Sequence, residues 1–274
     1  MDPSFQIQPR SIDCANASLY IEISSQGLSY VILSNGVALA LTIYNFNDAP
    51  SVPQTAEYLQ QIIAKQPFLQ QKFNSVHIIY SYAASVLLPQ EFFDSTDHEA
   101  MLELVYGNCN DQIMKSDFMQ KYSIHNIYCV PAVIHQVLTR YFSTAKHTHH
   151  FSLMPDLVSG QDTYLYCIFS PGQMKAILKK SGKLQAVQLF VYKTPQDAAY
   201  HLLNLCQSFE VNVKFCELRL SGMITENSAL YKELYKYFLQ MQFVPLSTTL
   251  QYPKEINNYP SHYFSHLFSA AACV

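Results

Sequence analysis

Apolar and polar positions along this chain follow the two-residue period of strands in some segments and the helical period in others. Between residues 19 and 46, three short apolar runs are separated by Ser25-Gln26-Gly27 and by Asn35-Gly36. Asn-Gly is typical of a two-residue type I′ hairpin, because both central residues of that turn need positive φ. The segment therefore predicts an antiparallel meander of three strands.

The same order of features returns between residues 164 and 192. Its three apolar runs are separated by Ser170-Pro171-Gly172 and by Ser181-Gly182. Internal similarity of this kind predicts a duplicated structural unit. We expect Gly27 and Gly172 to be equivalent turn residues with positive φ.

A helix with proline in its first turn follows each meander, at Pro53 and at the equivalent Pro195. Proline is tolerated there because the first N–H groups of a helix have no partner within it. In each half, the pattern then predicts a strand, a helix, a short strand and a last helix. These elements are predicted at residues 76–82, 91–106, up to 131 and 132–142 in the first half, and at 215–220, 226–241, up to 245 and 261–273 in the second.

Each half is therefore predicted to have the order β-β-β-α-β-α-β-α. The last two strands arrive through helical crossovers, so they are expected to run parallel to the first strand. This predicts an α/β chain of two tandem domains, each a mixed sheet with helices on both faces. We place the domains at residues 1–156 and 157–274, with the join between residues 146 and 162.

Three histidines, His147, His149 and His150, lie in this predicted join. A histidine-rich tract can bind a transition metal. Because no cysteine lies nearby, a solvated linker is the favoured interpretation. No metal site is expected.

Composition and charge exclude several classes of partner. Hydrophobic residues make up 49% of the 274 residues, charged residues only 14%, and the net charge is −3. Without a basic patch, neither a nucleic acid nor an anionic membrane is expected as a partner. No apolar run reaches the ~18 residues of a membrane span, and the first residues lack the pattern of a signal peptide. The seven cysteines include no CxxC, so we expect a cytoplasmic protein with reduced thiols.

The duplicated element order and its paired turns resemble the actin-like ATPase superfamily, which is built from two ribonuclease-H-like domains. The opening meander and the segments Leu87–Phe93 and His262–Phe268 are similar to an uncharacterised bacterial family with an actin-like ATPase fold. The resemblance covers nearly the whole chain. It implies two tandem ribonuclease-H-like domains but no activity, because that family has none assigned and a fold alone does not fix a function.

In that superfamily a turn in each half cradles the phosphates, and an Asp near the first turn positions magnesium. The first turn of this chain offers Glu22, Ser24, Ser25 and Gly27 instead. Glu22 is one methylene longer than Asp. Its alternative role is a structural ion pair at the end of the sheet.

The second turn departs further from the superfamily pattern, although it keeps Ser170 and Gly172. Cys167 stands where a second Asp is usual, Phe169 adds bulk, and Pro171 lacks an N–H group. The adenosine-side glycine pair is reduced to a single glycine. The candidate residues of a ligand cleft between the halves are Glu22, Ser24, Ser25, Gly27, Ser170, Gly172 and Gly222. No catalytic residue is predicted.

Two functions remain open at this point. The first is a non-catalytic interaction or assembly protein with no cofactor, which binds another protein or itself. The alternative is a nucleotide or small-ligand binder, a divergent ATPase or kinase-like protein, with ATP and magnesium in the cleft. The C-terminal helix carries no Asp, Glu, Lys or Arg, so it is either enclosed or an exposed contact patch. The deciding side chains are Tyr263, Phe264, Leu267 and Phe268.

Overall fold

The computed structural model describes residues 1–46, 50–158, 160 and 162–273. The chain divides into two compact units. One contains Met1–Ser152 with Thr249–Ile256, and the other contains Leu153–Thr248 with Asn257–Cys273. The predicted domain boundary between residues 156 and 157 stays a prediction, since a compact unit is not by itself a folding domain.

Nine strands and five α-helices are described up to residue 157. In chain order they are β1 (Phe5–Ile7), β2 (Ser18–Ile23), β3 (Gly27–Ser34), β4 (Val37–Asn45), α1 (Val52–Lys65), β5 (Ser75–Tyr80), β6 (Ser85–Pro89), α2 (Gln90–Phe93), α3 (His98–Tyr106), β7 (Gln112–Met119), β8 (Ile124–Pro131), α4 (Ala132–Tyr141), β9 (Lys146–His149) and α5 (His150–Leu157). Strands β2, β3 and β4 form the predicted meander. The main sheet of this unit has the order β1-β4-β3-β2-β5-β9.

The rest of the chain follows a shorter version of the same order. Its elements are β10 (Tyr164–Ser170), β11 (Gln173–Lys180), β12 (Lys183–Val191), α6 (Pro195–Ser208), β13 (Glu217–Gly222), α7 (Ala229–Leu234), β14 (Gln240–Phe243) and α8 (Ser265–Cys273). The sheet has the order β12-β11-β10-β13-β14. Strand β13 is parallel to β10, and β14 is parallel to β13, as predicted for strands that follow a crossover.

Local turn chemistry explains both hairpins that were predicted from a dipeptide. Asn35 and Gly36 have φ of 49° and 77°, and Ser181 and Gly182 have φ of 49° and 75°. Two successive positive φ angles match the right-handed twist of the paired strands. Both hairpin predictions are confirmed.

The helices after the two meanders begin with capping boxes. The hydroxyl of Ser51 accepts from the N–H of Gln54, and that of Thr194 accepts from the N–H of Asp197. Such caps satisfy two N–H groups that a helix leaves without partners. Helix α1 then buries Leu59, Ile62 and Ile63 in the core of the first unit.

The turn glycines and the helix prolines that were predicted to be equivalent in the two halves are offset from each other by one residue. The carbonyl of Gln26 accepts from Phe46 N, and the carbonyl of Gly172 accepts from Tyr192 N, so Gln26 is the counterpart of Gly172. Pro53 is the second residue of α1, whereas Pro195 is the first of α6. The predicted pairing of Gly27 with Gly172 is therefore wrong, while the internal duplication itself stays a prediction.

A second, three-stranded sheet lies between β5 and α4 in sequence, and the sequence pattern did not predict it. Its order is β6-β8-β7, with both pairings antiparallel. Helices α2 and α3 replace the single helix predicted over residues 91–106, because Asp97 caps a new helix start by accepting from Ala100 N. The insertion, as we call residues 85–131, has no counterpart between β13 and β14.

The predicted join is part of the main sheet rather than a linker. Strand β9 pairs in parallel with β5, in the place that was assigned to the strand ending at Pro131. His149 and His150 are fully buried, and His147 is half-buried. The prediction of a solvated linker is wrong, because hydrogen bonds to β5 order this polar segment. Residues 159 and 161 of the predicted join lie outside the described residues.

One prediction for the second unit also changes. The helix predicted over residues 226–241 ends early at Leu234, and residues 240–243 form β14 instead. Leu234 and Phe238 are buried, whereas Tyr235 is exposed.

The C-terminal helix α8 is core rather than an exposed patch. Phe264, Leu267 and Phe268 are buried, and Tyr263 is half-buried. The helix packs on β13, where the hydroxyl of Ser265 lies 2.9 Å from that of Ser221. Burial on this scale explains why the segment carries no charge.

Among the helices that the structure describes, none has the length and apolar character needed to cross a membrane.

Candidate functional site

The acid of the first predicted ligand turn is held by the start of α5. Glu22 lies near the end of β2, on the face opposite to the core residues Ile21 and Ile23. Its Oε1 atom is 3.0 Å from Nδ1 of His150, whose side chain is fully buried, while that of Glu22 is 13% exposed. The carboxylate is thus engaged by a fixed protein group within its own unit.

The first turn is closed by its own hydrogen bonds. The N–H of Ser24 donates to the carbonyl of Gly27 over 3.0 Å, and the N–H of Gln26 donates to the hydroxyl of Ser24 over 3.1 Å. These contacts use the serine oxygen and backbone donors that a phosphate would need. Ser25 is exposed at the tip of the turn.

Gly27 is needed for close packing and not for an unusual backbone angle. It begins β3, and it is not among the glycines with positive φ. A Cβ atom at this position would lie 2.3 Å from the carbonyl oxygen of Tyr44 in β4. The expected positive φ is therefore wrong for Gly27, and the backbone of the neighbouring strand is what excludes a side chain.

The second predicted turn has a different geometry. Pro171 and Gly172 connect β10 to β11, and Gly172 has φ of 70°. Proline followed by a glycine with positive φ is typical of a type II turn. The carbonyl of Ser170 accepts from the hydroxyl of Tyr192 over 3.0 Å. Because Pro171 has no N–H, this turn cannot form a row of phosphate donors.

The residue in place of the second Asp faces an apolar core. Cys167 and Phe169 are both buried in the hydrophobic cluster of the second unit. Burial raises the pKa of the Cys167 thiol, so the group is neutral. The bulk of Phe169, expected from the sequence to crowd the second turn, instead packs inside the unit. Neither side chain supplies the oxygen that a magnesium ion prefers.

Gly222 ends β13 in register with Phe169. Its φ is 82°, and a Cβ atom there would lie 2.2 Å from the carbonyl oxygen of Phe169. That carbonyl also accepts from Met223 N over 2.8 Å. The glycine is explained by the approach of two backbones, and it lies at the same sheet end as Ser170.

The predicted site residues thus form two groups, one in each unit. Glu22, Ser24 and Ser25 lie at the end of β2, with Gly27 beginning β3. Ser170, Gly172 and Gly222 lie at the ends of β10 and β13. Within the first group Glu22 is engaged by His150 and Ser24 closes its own turn, and in the second group Pro171 lacks a backbone donor.

A half-buried polar network in the first unit was not predicted from the sequence. Asp117 of β7 accepts one hydrogen bond from the neighbouring strand β8 and three from β9 and α5. The donors are Tyr128 Oη at 3.1 Å, Thr148 Oγ1 at 2.8 Å, His149 N at 2.7 Å and Ser152 Oγ at 2.6 Å. Residues 112–119 gave no signal for it, because polar and apolar residues do not alternate along this segment.

A tyrosine and two histidines form a second polar contact in this unit. The hydroxyl of Tyr80 lies 2.6 Å from Nδ1 of His135 and 3.0 Å from Nδ1 of His147. Burial, and then the positive charge of Lys115, lowers the pKa of His147 to about 4 and also lowers the pKa of His135. Both imidazoles are therefore neutral at pH 7, and Tyr80 can donate to only one of them.

The hydrogen bonds of Asp117 attach the insertion to β9 and α5, whereas the contact of Tyr80 with the two histidines lies outside the insertion. Asp117 and Lys115 belong to the insertion, whereas Thr148 and His147 belong to β9. Within the described part of the chain, no three His, Cys, Asp or Glu residues are grouped to hold a metal ion. The arrangement is chemically suited to fixing the orientation of the insertion.

Comparisons with known proteins agree with this architecture. A family model described as "Protein of unknown function (DUF3822)" matches residues 9–241. No curated protein matches the chain. A Bacteroides thetaiotaomicron protein with an actin-like ATPase fold and unknown function superposes with a TM-score of 0.79 at 17% identity, covering 96% of this chain and 100% of that one.

Two other similar structures belong to named assemblies. A chain of the PilM–PilN type IV pilus biogenesis complex has a TM-score of 0.63 at 10% identity, with 93% of this chain and 97% of that chain covered. The cytoplasmic domain of EpsL, an inner membrane component of the type II secretion system of Vibrio cholerae, has a TM-score of 0.50 at 12% identity, with coverages of 94% and 95%. At these identities the similarity establishes the fold alone, and the predicted actin-like ATPase fold is confirmed.

Proposed function

The chain belongs to the DUF3822 family of proteins of unknown function, and we propose that it uses its actin-like ATPase fold to bind protein partners, not to hydrolyse ATP. The observation that carries this proposal is the contact between Glu22 and His150. Glu22 is the acid that would have to order magnesium, and its Oε1 atom is already engaged by a buried imidazole. Releasing it would break a contact of a fully buried imidazole, which costs free energy.

The second turn supports the same conclusion. Cys167 and Phe169 serve the core, and Pro171 removes a backbone donor. An oxygen ligand and several N–H groups are the minimum for holding a magnesium nucleotide. We therefore infer that this protein keeps the fold without the magnesium and phosphate contacts that the two turns make in the ATPases.

Two of the similar structures support a role in assembly. The similar PilM chain comes from a pilus biogenesis complex, and EpsL is a component of a secretion system. Their likeness to this chain concerns the fold. We propose that this chain is likewise a component of a protein assembly, in the cytoplasm of a bacterium, and that its two units arose by internal duplication.

The alternative function is a nucleotide or small-ligand binder. It keeps Glu22, Ser24, Ser25 and Gly27 of the first unit, and Ser170, Gly172 and Gly222 of the second, as ligand contacts. The exposed Ser25 favours it, because its side chain is accessible at the tip of the turn.

Thermal unfolding with ATP or ADP, each with magnesium, separates the two functions. A ligand at 100 times its Kd stabilises a protein by about 2.7 kcal/mol, so binding would raise the Tm clearly. We expect no rise in Tm and no release of phosphate above a buffer blank. A rise in Tm together with phosphate release that Glu22→Gln abolishes would contradict the proposal. Glutamine keeps an oxygen near His150, so that variant is expected to fold.

A further inference from the structure

Strand β7 of the insertion is an edge strand. All eight of its residues, Gln112–Met119, pair with β8 on one side. On its other side, no strand within residues 1–46, 50–158, 160 and 162–273 pairs with it. An edge strand presents a row of N–H and C=O groups that can pair with another chain.

Two of the usual protections of an edge, a proline and a β-bulge, are missing from β7, although the strand carries the charges of Lys115 and Asp117. The strand contains no proline, and its register with β8 continues without a shift through the described residues 112 to 119. Its outward face carries Met114, which is 45% exposed, the exposed Ser116, and Phe118, which is 52% exposed. An accessible apolar edge of this length favours association.

The inward face of the same strand carries two opposite charges, on Lys115 and Asp117. Asp117 accepts hydrogen bonds from neutral donors, the hydroxyls of Tyr128, Thr148 and Ser152 and the backbone N–H of His149. In the part of the chain that the structure covers, neither Lys115 nor Asp117 belongs to a salt bridge. Each copy therefore carries a cation and an anion, two residues apart, on one face of an edge strand, and the donors around Asp117 leave its negative charge unbalanced.

This pattern is complementary to itself. If two copies of β7 run antiparallel about a two-fold axis at Ser116, residues opposite each other share a face of the joint sheet. Lys115 of each copy then stands opposite Asp117 of the other, and Met114 stands opposite Phe118. Opposite charges and apolar pairs at such positions each stabilise a sheet by about 0.2–1 kcal/mol. A register shifted by one residue would place the apolar face of one copy against the charged face of the other.

We propose that β7 is a self-association surface, through which two copies of this chain join their insertion sheets into one six-stranded sheet. The partner is a second copy, because the charges and the apolar side chains both match in the same register. The inference rests on the proposed function as a binding protein, and it names the surface and the partner.

The oligomeric state of the full chain tests the surface. Sedimentation over a range of concentrations is expected to show a dimer of the 31.3 kDa chain. Lys115→Asp would place like charges opposite each other, so it is expected to weaken the dimer at least tenfold. Phe118→Lys is expected to do the same by removing the apolar pair. The control is Lys72→Asp, an equal change of charge at an exposed residue outside β7, which is expected to leave the dimer intact.

Cysteine cross-linking tests the register. In a chain with Cys109→Ser and Cys273→Ser, the two cysteines that are not buried are absent. Ser116→Cys is then expected to form an intermolecular disulfide under mild oxidation, because the two thiols meet at the axis. Met114→Cys alone is not expected to cross-link, whereas a mixture of the Met114→Cys and Phe118→Cys chains is.

A chain that stays monomeric at high micromolar concentration would overturn the proposal. A dimer that Lys115→Asp and Phe118→Lys leave unchanged, with no cross-link at Ser116→Cys, would overturn it as well. Neither result bears on the nucleotide experiment, so failure of this surface is distinguishable from failure of the proposed function. Unchanged circular dichroism of each variant shows that the loss of the dimer is not a loss of fold.

Discussion

Oε1 of Glu22 lies 3.0 Å from Nδ1 of His150, and the imidazole is fully buried at the start of α5. This contact ties the end of β2 to the residue that follows β9. Glu22 is the only acid of the first meander. The carboxylate that resembles a magnesium ligand in sequence is thus a structural contact in the folded unit.

Glu22→Ala is therefore expected to destabilise the chain by about 1–3 kcal/mol, the cost of leaving a buried polar group without its partner. The free energy of unfolding in urea measures it. The control is Glu57→Ala, an exposed acid on α1, for which a change within about 0.5 kcal/mol is expected. Equal effects of the two substitutions would show that the Glu22–His150 contact contributes nothing to stability.

Alanine substitutions at three glycines distinguish the free-energy cost of an unfavourable backbone angle from the cost of a steric clash. Gly107 has φ of 81° with no described atom within 4 Å of a Cβ, Gly222 has φ of 82° with one at 2.2 Å, and Gly27 has only the close contact, at 2.3 Å. An unfavourable backbone region costs about 1–3 kcal/mol. We expect Gly107→Ala to lose that amount and Gly222→Ala to lose clearly more, as measured by urea unfolding. Gly27→Ala is expected to destabilise as well, although its backbone angle is ordinary. A Gly222→Ala chain as stable as Gly107→Ala would contradict the predicted clash with Phe169.

Stability is expected to fall in mild acid because of His147. Burial lowers its pKa to about 4 in the folded chain, against ~6.5 in the unfolded chain. Above pH 6.5 both states are neutral and the contribution is fully present. As the pH falls from 6.5 to 4, the unfolded state takes up the proton first, so stability decreases. The expected loss is about 2 kcal/mol after allowing for partial exposure.

Urea unfolding at pH 7, 5.5 and 4.5 measures this dependence, with His147→Gln as the comparison. The variant is expected to show a shallower decrease over the same range, since it lacks the titrating group. His135, whose pKa burial also lowers, retains part of the slope. Identical slopes for the variant and the original chain would exclude His147 as a source of the acid sensitivity.

Substitutions in α8 are expected to affect folding rather than association. Phe268 is 1% exposed and belongs to α8, the helix that packs on β13. Removing a buried phenyl ring costs about 3–5 kcal/mol, so Phe268→Ala is expected to lower the Tm strongly. The control is Ala272→Ser, at an exposed position of the same helix. Loss of self-association by Phe268→Ala at an unchanged Tm would restore α8 as a contact surface.

Features that depend on a few neighbouring residues could be predicted from the sequence. Asn35-Gly36 and Ser181-Gly182 specify their turns because the backbone angles they permit are local properties. The helix starts at Pro53 and Pro195 follow from the same kind of local rule. These turns and starts, together with the apolar runs between them, were enough to predict the fold class.

The sequence located the candidate site residues at the ends of two sheets, but it could not predict which of them are already engaged in contacts within the protein. Whether Glu22 is available depends on His150, which is distant in sequence and comes close only through β9 and α5. Gly27 and Gly222 look like turn residues in the sequence, yet the carbonyl groups of other strands require them. Such contacts leave no periodic pattern.

Strand β9 shows most clearly what the tertiary structure decides. Its residues Lys146–His149 are polar, and a short polar segment is typical of a linker. The segment becomes a strand because β5 supplies its hydrogen bonds. The imidazole of His149 can be buried because its Nε2 atom has a partner, the carbonyl oxygen of Tyr82 at 3.0 Å. The sequence by itself determined the turns, the helix starts and the meanders, since their energies are local. Only the tertiary structure decided which polar residues are buried, because burial of a polar group requires partners that the folded chain alone brings together.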